Sequence, residues 1–303
     1  MVPREMSTAN PQPLDGWLNL LKPPGMTSHD VVAWVRRLLR GIPAVKVGHI
    51  GTLDPAAAGV LPLCLGKATR LARFAEDCDK TYLCEIVFGI ETDTLDSEGR
   101  IVKETGIAPS LSEVEAVLPR FRGSIEQKPP KFSAIHIGGS RAYRLAQQGK
   151  DFDLPARQVR IHDLRLLDFN DAAPARGLVE VICSKGTYIR SLCAEIGEAL
   201  GGGAHVGFLL RKGAGPFRLE DARTLEEIQD DAASALLPLD WPLLHLPEVR
   251  LSPEQARRFC QGSVVEETGV KEEEFFRVYG ECLIGIGRRE VSLLKPEVVL
   301  SAA

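Results

Sequence analysis

The chain has 303 residues, 44% hydrophobic and 26% charged, an ordinary globular composition with room for a large domain and a smaller one. Lys and Arg number 37 against 41 Asp and Glu, so the formal net charge is -4 and no basic excess marks a nucleic-acid binder, although only the field at a contact surface decides that. Runs such as Gly59–Leu65 are too short to span a bilayer, Met1–Pro13 lacks a signal-peptide core, and seven cysteines without a Cys-x-x-Cys pair read as free thiols. The expectation is a soluble, cytoplasmic protein without a zinc site.

The first 13 residues, polar and Pro-rich, are expected to be disordered. Gly16–Leu21 reads as a short buried strand ending at the turn Lys22-Pro23-Pro24-Gly25. Thr27 or Ser28 caps a helix whose positions Val31, Val32, Val35, Leu38 and Leu39 repeat at helical spacing, with Gly41 ending it. A Gly-rich stretch, Gly48–Pro55, leads into a strand at Gly59–Leu65 and a helix over Thr69–Glu76. Thr81–Gly89 reads as a strand, Thr92–Gly99 as a polar excursion before Ile101-Val102, Leu111–Phe121 as a helix and Leu178–Cys183 as a strand. After the turn Ser184-Lys185-Gly186, a helix from about Tyr188 ends at Gly201-Gly202-Gly203. Pro238, Pro242, Pro247 and Pro253 punctuate a linker-like stretch. Beyond it, Val264-Val265, Phe275–Tyr279, Cys282–Ile286 and Val291–Leu294 predict a small, mostly β domain over 247–303.

Asp54 is the residue of most chemical interest. Pro55 pushes it toward an extended backbone, and glycines at 48, 51 and 59 let another molecule come close. A carboxylate there is a candidate nucleophile or general base, although spacing alone favours a cap on the turn into Ala56–Ala58. Ser184–Arg190 sets Lys185, Arg190 and Tyr188 at a strand-to-helix junction, a place that favours anions, or else a plain amphipathic helix start. Tyr82 on its strand reads as a core or interface residue. His49 and His205 are too isolated to ligate a metal. From the residues alone the reaction stays open.

The segment GHIGTLDPAAAGVLP (48–62) resembles the signature of the bacterial tRNA pseudouridine-55 synthases, the TruB family. Further matches follow in family order: KPPGMTSHDVV (22–32), LGKATR (65–70), DKTY (79–82), TDTLDSEG (92–99), FRGSIEQKPPKFSAI (121–135), SKGTYIR (184–190) and GGGAHVGFLLR (201–211). The tail resembles, more weakly, the RNA-binding PUA domain of family members. The resemblance implies an α+β fold with a central mixed, largely antiparallel sheet flanked by helices, divided into a catalytic domain at 14–246 and a β-rich PUA-like domain at 247–303.

It also implies isomerisation of uridine 55 in the tRNA T loop by base flipping, without metal or organic cofactor, by a monomer with no obligate protein partner. By resemblance Asp54 is the catalytic aspartate, acting at the ribose as nucleophile or as the base that gives a glycal. Tyr82 stacks on the uracil, Arg190 pairs with the carboxylate, Tyr188 and Leu209 line the pocket, and Asp96 bonds near the base. His49 fills the space the nucleotide leaves, and Lys22 and Lys67 touch phosphates. Two other readings stay open: an RNA-guided rRNA synthase subunit, and a non-catalytic tRNA-binding or folding protein.

With net charge -4, the positive field for RNA must be concentrated, and Arg36, Arg37, Arg40, Lys46, Arg141, Arg144 and Arg211 are the candidates. The glutamates 266, 267, 272, 273 and 274 predict a tail that adds little to RNA affinity. The Pro-rich stretch predicts a boundary that few contacts cross, so that the catalytic domain survives removal of the tail.

Overall fold

The first strand runs Gly16–Lys22 in the computed structural model, which describes residues 14–40, 45–133, 135–137, 139–266 and 274–300. Gly41, the tail before Leu14, Arg141's side chain and the glutamates 267, 272 and 273 therefore lie outside what is described. The first helix, Ser28–Leu38, starts at Thr27, whose side chain accepts from the Asp30 N–H while the Asp30 carboxylate accepts from the Thr27 N–H. This capping box satisfies two end groups that would otherwise lack partners. The predicted helices at 69–76 and 111–121 each divide into a 3-10 turn and a short α-helix, Ala72–Glu76 and Leu111–Val117.

The centre is a ten-stranded sheet. Its path runs through Leu236–Leu237, Gly16–Lys22, Ala58–Leu65, Ala204–Ala214, Lys80–Phe88, Arg176–Cys183, Arg157–Asn170 and Gly123–Gln127. Nearly all neighbours are antiparallel, and Ala204–Ala214 lies parallel to Ala58–Leu65, so the sheet is mixed and largely antiparallel as expected. Alternation along the strands sends Leu18, Leu20, Leu61 and Leu63 to one face, where they pack with Val31, Val35, Leu192 and Ile196 of two helices. Trp17, Val60 and Cys64 go to the other face. Among the described residues no helix is long and apolar enough to cross a membrane.

The tail holds a five-stranded sheet and the helix Pro253–Cys260, which the sequence reading missed. Val291 has φ 61°, so it turns the chain, and the last strand begins at Leu293 instead. The expectation that few contacts cross the Pro-rich stretch is overturned. Tyr279, Leu283, Ile286, Val298 and Leu300 of the tail share one buried cluster with Trp17, Val60, Leu71 and Phe74 of the main sheet's second face. Phe74 and Phe275 meet edge-on at 5.2 Å, and Arg73 pairs with Glu297. The prolines shape a packed connection: Pro242 and Leu243 are buried, and Arg277 Nε donates to Leu246 O at 2.8 Å. Spaced prolines look like a linker in sequence because their burial depends on partners far along the chain.

Candidate active site

Asp54 sits on the loop between the strands Val47–His49 and Ala58–Leu65, and the loop is held by its backbone. Ser28, buried at the helix start, donates from Oγ to Leu53 O and accepts from Leu53 N–H, both at 2.9 Å. The Gly25 N–H donates to Pro55 O at 2.9 Å. Lys22 Nζ donates to the carbonyls of Pro23, Met26 and Pro55 at 2.9, 2.6 and 3.1 Å. The 22–32 motif is thus a clamp for the Asp54 loop, and Lys22 is fully enclosed, so the expectation that it touches phosphate is wrong. Lys67 lies 3.4 Å from Asp15, away from the cleft lining.

Burial of Lys22 pushes its ammonium down from 10.5 to about 8, against the attraction of Asp54. Between these values the folded protein binds fewer protons than the unfolded chain, so stability rises with pH across that window. The urea-derived stability advantage of the native protein over a Lys22→Met variant should therefore grow from pH 7 to pH 10, by at most about 3 kcal/mol. A difference flat with pH would show that Lys22 is not desolvated.

Arg190, on the helix Ile189–Ala199, reaches the carboxylate: its Nε lies 2.8 Å from Asp54 Oδ2. The N–H is not aimed along that line, so the contact is an ion pair rather than an aligned hydrogen bond. The guanidinium's other groups are fixed. Nη1 donates to Thr94 O at 2.8 Å and lies 3.5 Å from Asp96 Oδ2, while Nη2 donates to Phe132 O at 2.9 Å. Asp96 is in turn held by Thr94 Oγ1 at 2.5 Å and the Glu98 N–H at 3.1 Å. Arg190 is 6% exposed and Asp54 37%, so the arginine is a buried anchor and the aspartate its open face.

Asp54 opens into a cleft of about 610 Å³. Tyr82, Tyr188, Arg190 and Leu209 line it, and Asp96 borders a smaller pocket that shares Asp54, Arg190 and Leu209. Of the seven expected site residues, six are therefore together. His49 is outside the lining; its Nε2 lies 3.1 Å from Oγ1 of Thr52, which is a lining residue.

The sequence reading passed over Gln127, which is buried and grips Tyr188 from both sides. Its Oε1 accepts from the Tyr188 N–H at 2.7 Å and its Nε2 donates to Tyr188 O at 3.1 Å. Arg157 lies over the Tyr188 ring at 4.6 Å. The signal for Gln127 was its place in the 121–135 motif. Of the basic residues expected to carry the positive field, only Arg211 lines the cleft among the described residues; the others there are Arg73, Lys80, Arg157, Lys185 and Arg190, against the carboxylates Asp54, Glu76 and Asp77. Six cations to three carboxylates make the cleft positive on an acidic protein. Four buried polar atoms of lining residues, Ser133 Oγ, Arg157 Nε, Arg190 Nε and Arg211 Nη2, have no hydrogen-bond partner among the described residues.

The fold that carries this site is similar to that of two solved assemblies. A Cbf5–Nop10–Gar1 complex aligns at TM-score 0.73 and 26% identity, and an H/ACA ribonucleoprotein bound to a substrate RNA containing 2'-deoxyuridine at 0.72 and 25%. Each alignment covers 95% of this chain and 86% of the other. The model of the N-terminal domain of TruB family pseudouridylate synthases matches residues 36–189, and two TruB C-terminal models match 190–243 and 247–300. Among curated relatives, tRNA pseudouridine synthase B of Symbiobacterium thermophilum is 48% identical over 82% of each chain. That of Carboxydothermus hydrogenoformans is 44% identical over 94% of this chain and 98% of its own. The chain belongs to the TruB family.

Proposed function

We propose that the protein is a stand-alone tRNA pseudouridine synthase, an isomerase acting on uridine 55 of the T loop. The observation that carries this is the Asp54–Arg190–Asp96 constellation at a positive cleft in a TruB chain. The target nucleotide leaves its stack and enters the cleft, where new contacts offset the lost stacking. Asp54 acts at the ribose, as nucleophile at C1' or as the base that gives a glycal, and the C1'–N1 bond breaks. The uracil turns and rejoins through C5. Arg190, fixed by two carbonyls and Asp96, holds the Asp54 carboxylate toward the cleft. Residues 14–246 carry the chemistry, and 247–303 form a PUA-like RNA-binding unit whose glutamates leave it a small share of the electrostatic affinity. The protein acts in the cytoplasm as a monomer.

Incubation with an unmodified tRNA transcript, without guide RNA or other protein, should give pseudouridine at position 55 on positional mapping. Modification only elsewhere, or only with an added guide, would overturn the assignment. The cleft also predicts an aromatic role for Tyr82. Tyr82→Phe keeps the stacking face and Tyr82→Leu loses it, a difference of about 1–3 kcal/mol in binding or in kcat/KM. Leu and Phe variants that bind and react alike would remove Tyr82 from the stacking role.

A further inference from the structure

Arg211 is 1% exposed, on the strand Ala204–Ala214, with Tyr82 opposite it on one side and Gly59 on the other. Its Nε donates to Val60 O at 2.7 Å, and Nη2 has no hydrogen-bond partner among the described residues. Lys80 is 7% exposed, and its Nζ donates to the carbonyls of Glu76 and Cys78 at 2.8 and 2.6 Å. Among the described residues neither cation has a carboxylate within ion-pair distance, unlike Arg190. The loop that bears Asp54 lies directly on both. A Cβ at Gly51, φ 67°, would sit 3.2 Å from Arg211 Nη1 and 3.7 Å from Lys80 Cε. At Gly59, φ 114°, it would overlap the Arg211 backbone. These two glycines let the catalytic loop close down over the cations.

A buried cation without a counter-ion destabilises the fold, and an apolar side chain of similar volume would pack at least as well. Burial raises the Tyr82 hydroxyl above its ordinary value, with Arg211 the largest influence the other way, so the phenol is neutral at pH 7 and does not offset the charge. The charge gains a use only when the cleft holds an anion. We infer that Arg211 and Lys80 form a cationic floor that stabilises the uracil as an anion once its C1'–N1 bond has broken. This rests on the pseudouridine synthase reading. Heterolysis leaves the bond's electron pair on N1 and so on the ring and its carbonyl oxygens. Formation of the C1'–C5 bond, loss of the C5 proton and protonation of N1 complete the isomerisation without an added reagent. A fixed charge in a site shielded from water acts on such a ring without touching it.

The test is single-turnover cleavage by the full-length protein on tRNA carrying uridine or 5-fluorouridine, followed as loss of the original nucleoside from nuclease digests. Fluorine makes the ring a better anionic leaving group, so that substrate needs the floor less. Arg211→Met should slow uridine cleavage about 100-fold while tRNA affinity stays within about threefold, and Arg211→Lys should restore part of the rate. With 5-fluorouridine the same loss should shrink to about tenfold. Lys80→Met should follow the pattern with a smaller loss, and it decides the matter if Arg211→Met does not fold. Equal slowing on both substrates overturns the inference and leaves a structural role. A native protein that cleaves neither substrate overturns the pseudouridine synthase reading and this inference with it.

Discussion

Asp54→Asn is expected to abolish turnover while leaving tRNA affinity within about tenfold of the native protein, because an amide neither attacks C1' nor takes a proton there. The geometry isolates the charge from the loop. Every hydrogen bond that pins residues 53–55 to the 22–28 segment among the described residues uses backbone atoms of Leu53 or Pro55, so the exchange keeps these bonds and removes only the carboxylate's attraction for Lys22. Arg190 keeps Asp96 and two carbonyls, so it is not left as a buried orphan charge. The variant should therefore melt close to the native protein and bind tRNA, and fail only in chemistry. Single-turnover assays with a filter-binding control separate these. Pseudouridine formation at a hundredth of the native rate would count heavily against Asp54.

Much of this site was legible because local pattern and motif coincide. The Thr27 cap, the first strand and the Asp54 loop all lie within one stretch of 50 residues, and each obeys a short-range rule. The adjacency of Arg211 and Tyr82 was not legible. It requires Ala204–Ala214 to insert between Ala58–Leu65 and Lys80–Phe88, and such register is decided by packing along the whole sheet. The strand Arg157–Asn170 escaped for a different reason. Register shifts at Ile161/Asp163 and Leu166/Asp168 break its alternation, so Val159, Ile161 and Leu164 do not keep one phase through to its end. The phosphate contact expected of Lys22 rested on its motif alone, and three carbonyls converging on one ammonium are invisible in sequence.

The tail reverses its own sequence reading and gives the second large effect. Removal of residues 247–303 should abolish cooperative melting of the remaining chain or lower its Tm by well over 10 °C. Tyr279, Leu283, Ile286, Val298 and Leu300 are all buried in the cluster that also holds Trp17, Val60, Leu71 and Phe74, and the cut would strip the tail's share of it, Phe275 on Phe74 included. At about 1.5–3 kcal/mol for each large apolar side chain buried, five such residues rival the whole net stability of a domain, about 5–15 kcal/mol. The cut also removes polar ties: Tyr279 Oη donates to Asp240 Oδ2 at 2.6 Å, and Arg277 holds Leu246 O. A milder probe is Ile286→Asp, which sets a carboxylate at a position that is 0% exposed and should lower the melting temperature of the entire protein in one transition. Differential scanning calorimetry of both variants decides it. A truncated chain that melts cooperatively within about 5 °C of the native protein would show that this shared cluster adds little, and that the main sheet stands without the tail.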